Sequence, residues 1–214
     1  MDLIDIEGVC SLAHNVGAKV VVDNVFATPI LQKPIELGAD IVVYSATKHI
    51  DGQGRTMGGV ILTNDEEYSD GNLLQFLRHT GPALSPFNAW ILLKGLETLE
   101  LRMAQHCKNA RHVANFLTAQ SGLSKVIYPG LKSHPQYKLC KKQMSDAGSI
   151  VCFEVEGGIE RAFKIMNAFK LIDISNNLGD AKSLATHPAS TTHQRLSQKE
   201  RNAVGITDRL VRIS

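Results

Sequence analysis

The sequence predicts an α/β fold built on a parallel sheet, and three observations carry that prediction. Two short apolar runs, Val20-Val21-Val22 and Ile41-Val42-Val43-Tyr44, each follow a Gly-Ala pair, and near-continuous apolar runs of this length are what strands buried on both faces look like. Each run ends in polar residues: Asp23 after the first, Ser45-Ala46-Thr47-Lys48 after the second. Between them Ile35-Glu36-Leu37 reads as a helical turn, which completes a short βαβ crossover.

The remaining elements follow in order. Leu3 to Asn15 has Ile4 or Ile6, Val9, Leu12 and Ala13 on one side and Gly17 as its stop, so it predicts an amphipathic helix lying on the sheet. The run Gly59–Thr63 predicts a third strand, antiparallel or edge-like, before the acidic turn Asn64-Asp65-Glu66-Glu67. Ser85-Pro86 opens a helical pattern from Phe87 to about Gln120, with Ser85 as N-cap and Pro86 at the first helical position. Beyond Gly122 the pattern shortens. Strands are expected at Lys125–Tyr128, Ser149–Val155 (alternating), Leu171–Ser175 and Val211–Ser214, with helices near Gln136–Met144 and Ile159–Phe169. This second half predicts an α+β arrangement, and the change is placed near His106, inside the long helix.

Composition narrows the class of function. The chain has 214 residues, 43% hydrophobic and 21% charged, with 23 Lys+Arg against 21 Asp+Glu for a net charge of +2. That balance gives no bulk attraction for nucleic acid or a membrane surface. No apolar run reaches membrane-spanning length, and the start MDLIDIEGVCSLAHN carries acids ahead of its apolar positions, unlike a secretory signal. Cys10, Cys107, Cys140 and Cys152 form no CxxC pair or zinc spacing, so reduced thiols in the cytoplasm are expected. His106 and His112 are six apart and no HExxH occurs, so no metal site is expected.

The chemistry sits between Val20 and Gly59. Ligands of open parallel sheets bind beyond the carboxyl ends of the strands, where Asp23 and Lys48 emerge into one crevice. Pyridoxal 5'-phosphate uses such a pair: a lysine amine to bind its aldehyde, and a carboxylate beside the ring nitrogen to keep it protonated. The hydroxyls of Ser45 and Thr47 flank Lys48 and suit a phosphate oxygen. Gly52, Gly54, Gly58 and Gly59 make a flexible loop that lets backbone approach a ligand, although GQGRTMGG is neither a dinucleotide fingerprint nor a P-loop. His49 neighbours Lys48, but adjacent strand residues point to opposite faces, so a structural role is expected of it.

With those residues read, the tracts VVDNVFATP, YSATKHIDGQGR and MGG resemble the core of the cystathionine gamma-synthase family of pyridoxal-phosphate enzymes, also called the Cys/Met metabolism family. Within it, HIDGQGR and ISNNLGDAKSLATHPASTTH are most similar to the bacterial branch that uses O-succinylhomoserine. The resemblance implies part of a fold type I large domain with a mostly parallel sheet over residues 1–105, and a smaller α+β C-terminal domain over 106–214. It implies Lys48 as the catalytic lysine and Asp23, Ser45 and Thr47 as cofactor contacts. Arg212, in VRIS, would bind the substrate's α-carboxylate, and Asn177 stands where many relatives carry a serine touching the lysine and the substrate. The implied reaction is γ-replacement on O-succinylhomoserine by sulfide, giving homocysteine and succinate, in a homotetramer. Cystathionine γ-synthase or γ-lyase chemistry shares this machinery. The family also leads one to expect a preceding half with the phosphate loop and a ring-stacking aromatic, so the chain reads as a fragment, inactive by itself or pairing with full-length subunits.

Overall fold

A computed structural model describes residues 1–214, and it holds two mixed sheets joined through one long helix. Helix α1 (Ile6–His14) starts at Asp5, whose carboxylate accepts from the Gly8 amide as an N-cap does. Strand β1 (Val21–Asp23), the short helix α2 (Thr28–Leu31), a 3-10 turn at Pro34–Leu37 and strand β2 (Ile41–Ser45) form the expected crossover. Strands β1 and β2 pair in parallel, Val21 opposite Ile41 and Asp23 opposite Val43. Strand β3 (Gly59–Thr63) then pairs antiparallel with β2, Ser45 opposite Gly59, so the first sheet is mixed.

The α1 stripe differs from its sequence reading. Ile6 and Cys10 are buried, whereas Ile4, Val9 and Leu12 are 63%, 42% and 72% exposed. Only the Ile6–Cys10 edge meets the core formed with Val42, Tyr44, Ala46, Ile50 and Leu92. Partnered residues of adjacent strands share a sheet face, so Val21, Asp23, Val43 and Ser45 lie on one face and Val22, Val42 and Tyr44 on the other. Val42 and Tyr44 are buried on the second face, although Leu62 opposite Val42 is 45% exposed; on the first, Ile41 is buried while Val21 and Ile61 are 58% and 43% exposed.

After β3 the chain is helical where only an acidic turn was expected. Helix α3 (Glu66–Tyr68), a π-turn at Ser69–Leu73 and helix α4 (Leu74–Thr80) run together, with Leu74, Phe76 and Leu77 exposed. Ser85 caps the next helix as its sequence predicts, accepting from the Asn88 amide. The long helical pattern is two helices, α5 (Pro86–Leu96) and α6 (Leu99–Thr118), broken at Glu97-Thr98. Helix α6 changes partners along its length: Leu99, Met103 and Cys107 pack on Ala27 and Leu31, while Ala110 and Ala114 pack on Tyr128, Cys140 and Val151.

The second sheet contains β4 (Leu123–Ile127), β5 (Val151–Val155), β6 (Asp173–Ile174), β7 (Leu184–Thr186) and β8 (Leu210–Ile213), in the order β4-β5-β8-β7-β6. Helices α7 (Tyr137–Gln143), α8 (Gly158–Asn167) and α9 (Gln198–Ala203) complete the unit. Strand β7 and helix α9 have no counterpart in the sequence reading. Strand β5 was expected to alternate, yet all five of its residues are buried, because both its faces are covered. Even Glu154 is buried, held by Thr207 Oγ1 at 2.8 Å and Arg209 at 3.3 Å. All four cysteines are buried free thiols, and no helix is long and apolar enough to cross a membrane.

One close approach locks α5 to the turn after β2. A Cβ built on Gly95 would stand 2.1 Å from the Ile50 carbonyl oxygen and 3.1 Å from that of Asp51. Gly→Ala in a helix interior ordinarily stabilises by about 0.5–1 kcal/mol; here overpacking reverses the sign, and Gly95→Ala is expected to destabilise by about 1–3 kcal/mol. A denaturant midpoint that rises in the variant would refute the packing argument.

Candidate active site

The site is assembled around the turn that follows β2. Ser45 ends the strand half-buried, and residues 46–52 fold back so that the Asp51 amide donates to Ala46 O at 2.9 Å and the Gly52 amide to Lys48 O at 2.8 Å. Lys48 and His49 therefore sit in a turn, not on a strand, and their side chains diverge for that reason. Asp51, fully buried, accepts from the Arg55 amide at 2.6 Å and from Arg55 Nε at 3.0 Å, which closes the HIDGQGR tract on itself.

The glycines in this loop serve packing, which corrects their reading as a flexible ligand-facing run. Gly52 has φ +72, and a Cβ there would stand 2.2 Å from Arg102 Nη1. A Cβ on Gly54 would meet Asp180 Oδ2 at 2.9 Å, and one on Gly58 would meet Leu92 Cδ1 at 2.6 Å. Arg102, on α6, fills the space: it donates to His49 O at 2.6 Å, Gly95 O at 2.7 Å, Ile50 O at 3.3 Å and Thr98 Oγ1 at 3.0 Å.

Three sequence-predicted residues from distant parts of the chain meet here. Lys48 Nζ donates to Asn177 Oδ1 at 2.5 Å, and Arg212 Nη2 donates to the carbonyls of Asn176 at 3.0 Å and Asn177 at 2.9 Å. The loop carrying Asn177 is pressed onto the lysine turn, since the Ala181 amide donates to Gly52 O at 2.8 Å and Gly179, φ +73, leaves only 2.6 Å between a Cβ and His49 N. Burial, and secondarily the charge of Arg212, pushes the Lys48 amine below its ordinary value, which favours the neutral, nucleophilic form. Arg212 Nε is buried with no partner.

Asp23 and the hydroxyls stand apart from that trio. Asp23 is exposed at the end of β1, where its carboxylate accepts from the Val25 amide at 3.1 Å. Thr47 Oγ1 accepts from the Gly58 amide at 3.1 Å, and its own proton has only a 3.5 Å contact to Gly58 O. A cavity of about 390 Å³ is lined by Asp23, Asn24, Phe26 and Ser149 but not by Lys48, Asn177 or Arg212. It opens beside the acid, while the lysine and arginine lie outside it.

Asn24 and Arg102 escaped the sequence reading. Asn24 is buried; its Nδ2 reaches Thr28 O at 3.1 Å, Gln32 O at 2.9 Å and Tyr44 Oη at 3.0 Å, and Gln32 Nε2 donates back to its Oδ1 at 2.8 Å. It holds Thr28, at φ +61 the single non-glycine residue with positive φ, and so fixes the exit of β1 beside Asp23. An asparagine at a strand end was a readable signal. Arg102 gave none, being one basic residue on a long helix.

The residues present fit pyridoxal phosphate. A lysine with a depressed amine, a carboxylate at a parallel strand's carboxyl end, a hydroxyl held only by a long 3.5 Å bond and an orphaned guanidinium N–H make the set of groups that cofactor and an amino-acid substrate require. Fold and site together define the class of a fold type I pyridoxal-phosphate enzyme. The family model described as "Cys/Met metabolism PLP-dependent enzyme" matches residues 1–214. The chain belongs to that family. It is 55% identical to "O-succinylhomoserine sulfhydrylase" of Mycobacterium tuberculosis over 99% of its length and 53% of the relative's. With "L-methionine gamma-lyase" of Pseudomonas putida the identity is 46%, over 100% of this chain and 54% of that one. The crystal structure of cystathionine gamma synthase from Xanthomonas oryzae superposes with a TM-score of 0.95 at 37% identity, covering 99% of this chain and 55% of that one. The chain thus spans about half the length of the relatives it matches.

His49 gives the site a pH signature. Burial first, then the neighbouring His106, lowers its pKa from 6.5 to about 4. The unfolded chain takes up that proton first, so the stability of the neutral form is complete above about pH 6.5 and is lost as pH falls toward 4, by roughly 3 kcal/mol. His49→Asn should flatten this part of the stability profile. Urea midpoints at pH 7 and pH 4.5 that fall equally in both proteins would refute it.

Proposed function

We propose that the protein carrying this chain performs γ-replacement on O-succinylhomoserine with sulfide, yielding homocysteine and succinate. One observation carries the reading: the cofactor lysine and the carboxylate-binding arginine converge on a single residue, Asn177. The choice of substrate is supported by the 55% identity to the sulfhydrylase. Bound pyridoxal phosphate supplies an electron sink that makes the α- and β-protons of the substrate removable.

This chain's residues do the rest. Asp23 holds a proton on the ring nitrogen. Ser45 and Thr47 would donate to the phosphate, Thr47 by giving up its long 3.5 Å bond to Gly58 O. Arg212 takes the α-carboxylate, and its unused Nε–H offers one arm of a two-point grip suited to that group. Lys48 Nζ would hold the aldehyde of the cofactor, and as the neutral amine that burial favours it would take up the α-proton as a base. The Cγ–O bond to succinate breaks and a Cγ–S bond to sulfide forms, the proton of sulfide leaving with succinate. Residues 1–105 act as part of the cofactor domain and 106–214 as the smaller C-terminal domain, a division supported by the change of α6 partners between Cys107 and Ala110. We place the protein in the cytoplasm as a homotetramer, in keeping with its free thiols and with the exposed Leu74, Phe76, Phe87 and Trp90. The γ-lyase reading uses the same groups and differs in the absence of an added thiol.

Borohydride reduction after pyridoxal phosphate, followed by peptide mapping, is expected to mark Lys48 and to lose that mark in Lys48→Ala. Scattered labelling of surface lysines would defeat the reading. Product analysis with sulfide against water as the only acceptor separates the sulfhydrylase from the lyase. Arg212→Lys should keep the Lys48 label and raise KM for the amino-acid substrate roughly ten- to hundredfold, the equivalent of one charge-assisted hydrogen bond.

A further inference from the structure

We propose that His49 is a positioning residue that fixes the span between Asp23 and Lys48. The proposal rests on those two residues being the ends of the cofactor site. His49 follows Lys48 directly, and its Nδ1 lies 3.2 Å from the carbonyl of Val25, two residues beyond Asp23. Its Nε2 lies 3.0 Å from Ser149 Oγ. A carbonyl only accepts, so Nδ1 carries the proton and Nε2 accepts from the serine hydroxyl. The side chain is 1% exposed, and burial keeps the ring neutral, in this one tautomer.

The acid and the lysine are thereby joined by a short hydrogen-bonded path. Val25 N–H donates to the Asp23 carboxylate at 3.1 Å, Val25 C=O accepts from the His49 ring, and His49 shares a peptide bond with Lys48. The other hydrogen bonds from the exit of β1 to this part of the chain, the Asn24 amide to Val43 O and Asn24 Nδ2 to Tyr44 Oη, both at 3.0 Å, end on strand β2 before the lysine turn begins. His49 itself cannot drift. Arg102 grips its carbonyl at 2.6 Å, the ring of His106 stands edge-on at 5.9 Å, and the Gly179 backbone closes the remaining side. A planar cofactor of fixed length, held covalently at one end and by a carboxylate at the other, requires that span to be set in advance. Misplacement of a reacting group by about 1 Å costs on the order of a hundredfold.

The test separates span from general stability by using two ligands. Pyridoxal phosphate engages both ends, whereas pyridoxine phosphate carries an alcohol in place of the aldehyde and forms no bond with Lys48. His49→Asn places an amide N–H where Nδ1 stands and keeps the Val25 link; His49→Gln places its amide where Nε2 stands and loses it. Dissociation constants for both ligands would be measured by fluorescence titration of the full-length apoprotein and its variants. His49→Asn and Ser149→Ala are expected to keep the wild-type ratio of the two constants. His49→Gln should weaken pyridoxal phosphate at least about tenfold and leave pyridoxine phosphate within about threefold. Equal loss of both ligands in His49→Gln, whether or not the variant folds, makes His49 a structural residue and overturns the proposal, as does an unchanged ratio. Wild-type protein that takes neither ligand defeats the cofactor reading instead, which is a different result.

Discussion

The site depends on one guanidinium that pairs with no acid. Arg102 spends its N–H groups on the carbonyls of His49, Ile50 and Gly95 and on Thr98 Oγ1. The three carbonyls belong to two different elements, the lysine turn and the end of α5, and one planar fork donates to them together. Burial lowers the Arg102 pKa, with the nearby Arg55 adding to the effect and the Asp51 carboxylate opposing it, so the cation is held chiefly by dipoles, with no carboxylate in direct contact. Its space is provided by Gly52, whose missing Cβ is the room the guanidinium occupies. The lysine turn, the break between α5 and α6 and the glycine pattern of HIDGQGR are in this sense one arrangement.

Much of this was legible in the sequence, because the strongest signals were local. Three valines ending in aspartate, and a hydrophobic run ending in SATK, locate β1, β2 and the chemistry at their ends. Ser85-Pro86 locates the start of α5. Long-range consequences were not legible. The α1 stripe was read as one apolar face, but only Ile6 and Cys10 find a core, because burial depends on what lies opposite. Strand β5 has an acid in it and looked amphipathic; Glu154 is buried only because Thr207 and Arg209, more than fifty residues later, reach it. Strand β7, LAT, is too short to stand out, and it forms because β6 and β8 flank it.

The same distinction holds within the site. Lys48, Asp23 and Thr47 announce themselves by type and position. The burden His49 carries is invisible in a pattern, since its two partners are a main-chain carbonyl twenty-four residues before it and a hydroxyl one hundred residues after it. Asn177 was identified as a departure from a serine. Its position is more informative than its type: the side-chain oxygen receives Lys48 while the main-chain oxygen receives Arg212. Small movements of the 177–181 loop therefore act on the amine and the guanidinium together.

The electrostatics of that meeting point constrain what binds there. Lys48 is lowered by burial and by the charge of Arg212, and no aspartate or glutamate counters either group. Two partly buried cations held apart by one neutral amide are an unfavourable arrangement unless an anion arrives or one cation gives up its proton. An arginine does not deprotonate at neutral pH, so relief comes from Lys48 or from the ligand. Both routes favour the same outcome: a carboxylate entering at Arg212 satisfies the orphaned Nε, and a lysine that reacts as the neutral amine removes the second charge. Asp23, the acid proposed above for the ring nitrogen, stands instead at the exposed end of β1. Were Asp23 beside Lys48 it would stabilise the ammonium and raise its pKa, and the nucleophile would be lost. Separating the acid from the lysine while holding their distance constant is the problem this part of the fold solves, with His49 and Asn24 tied across the gap.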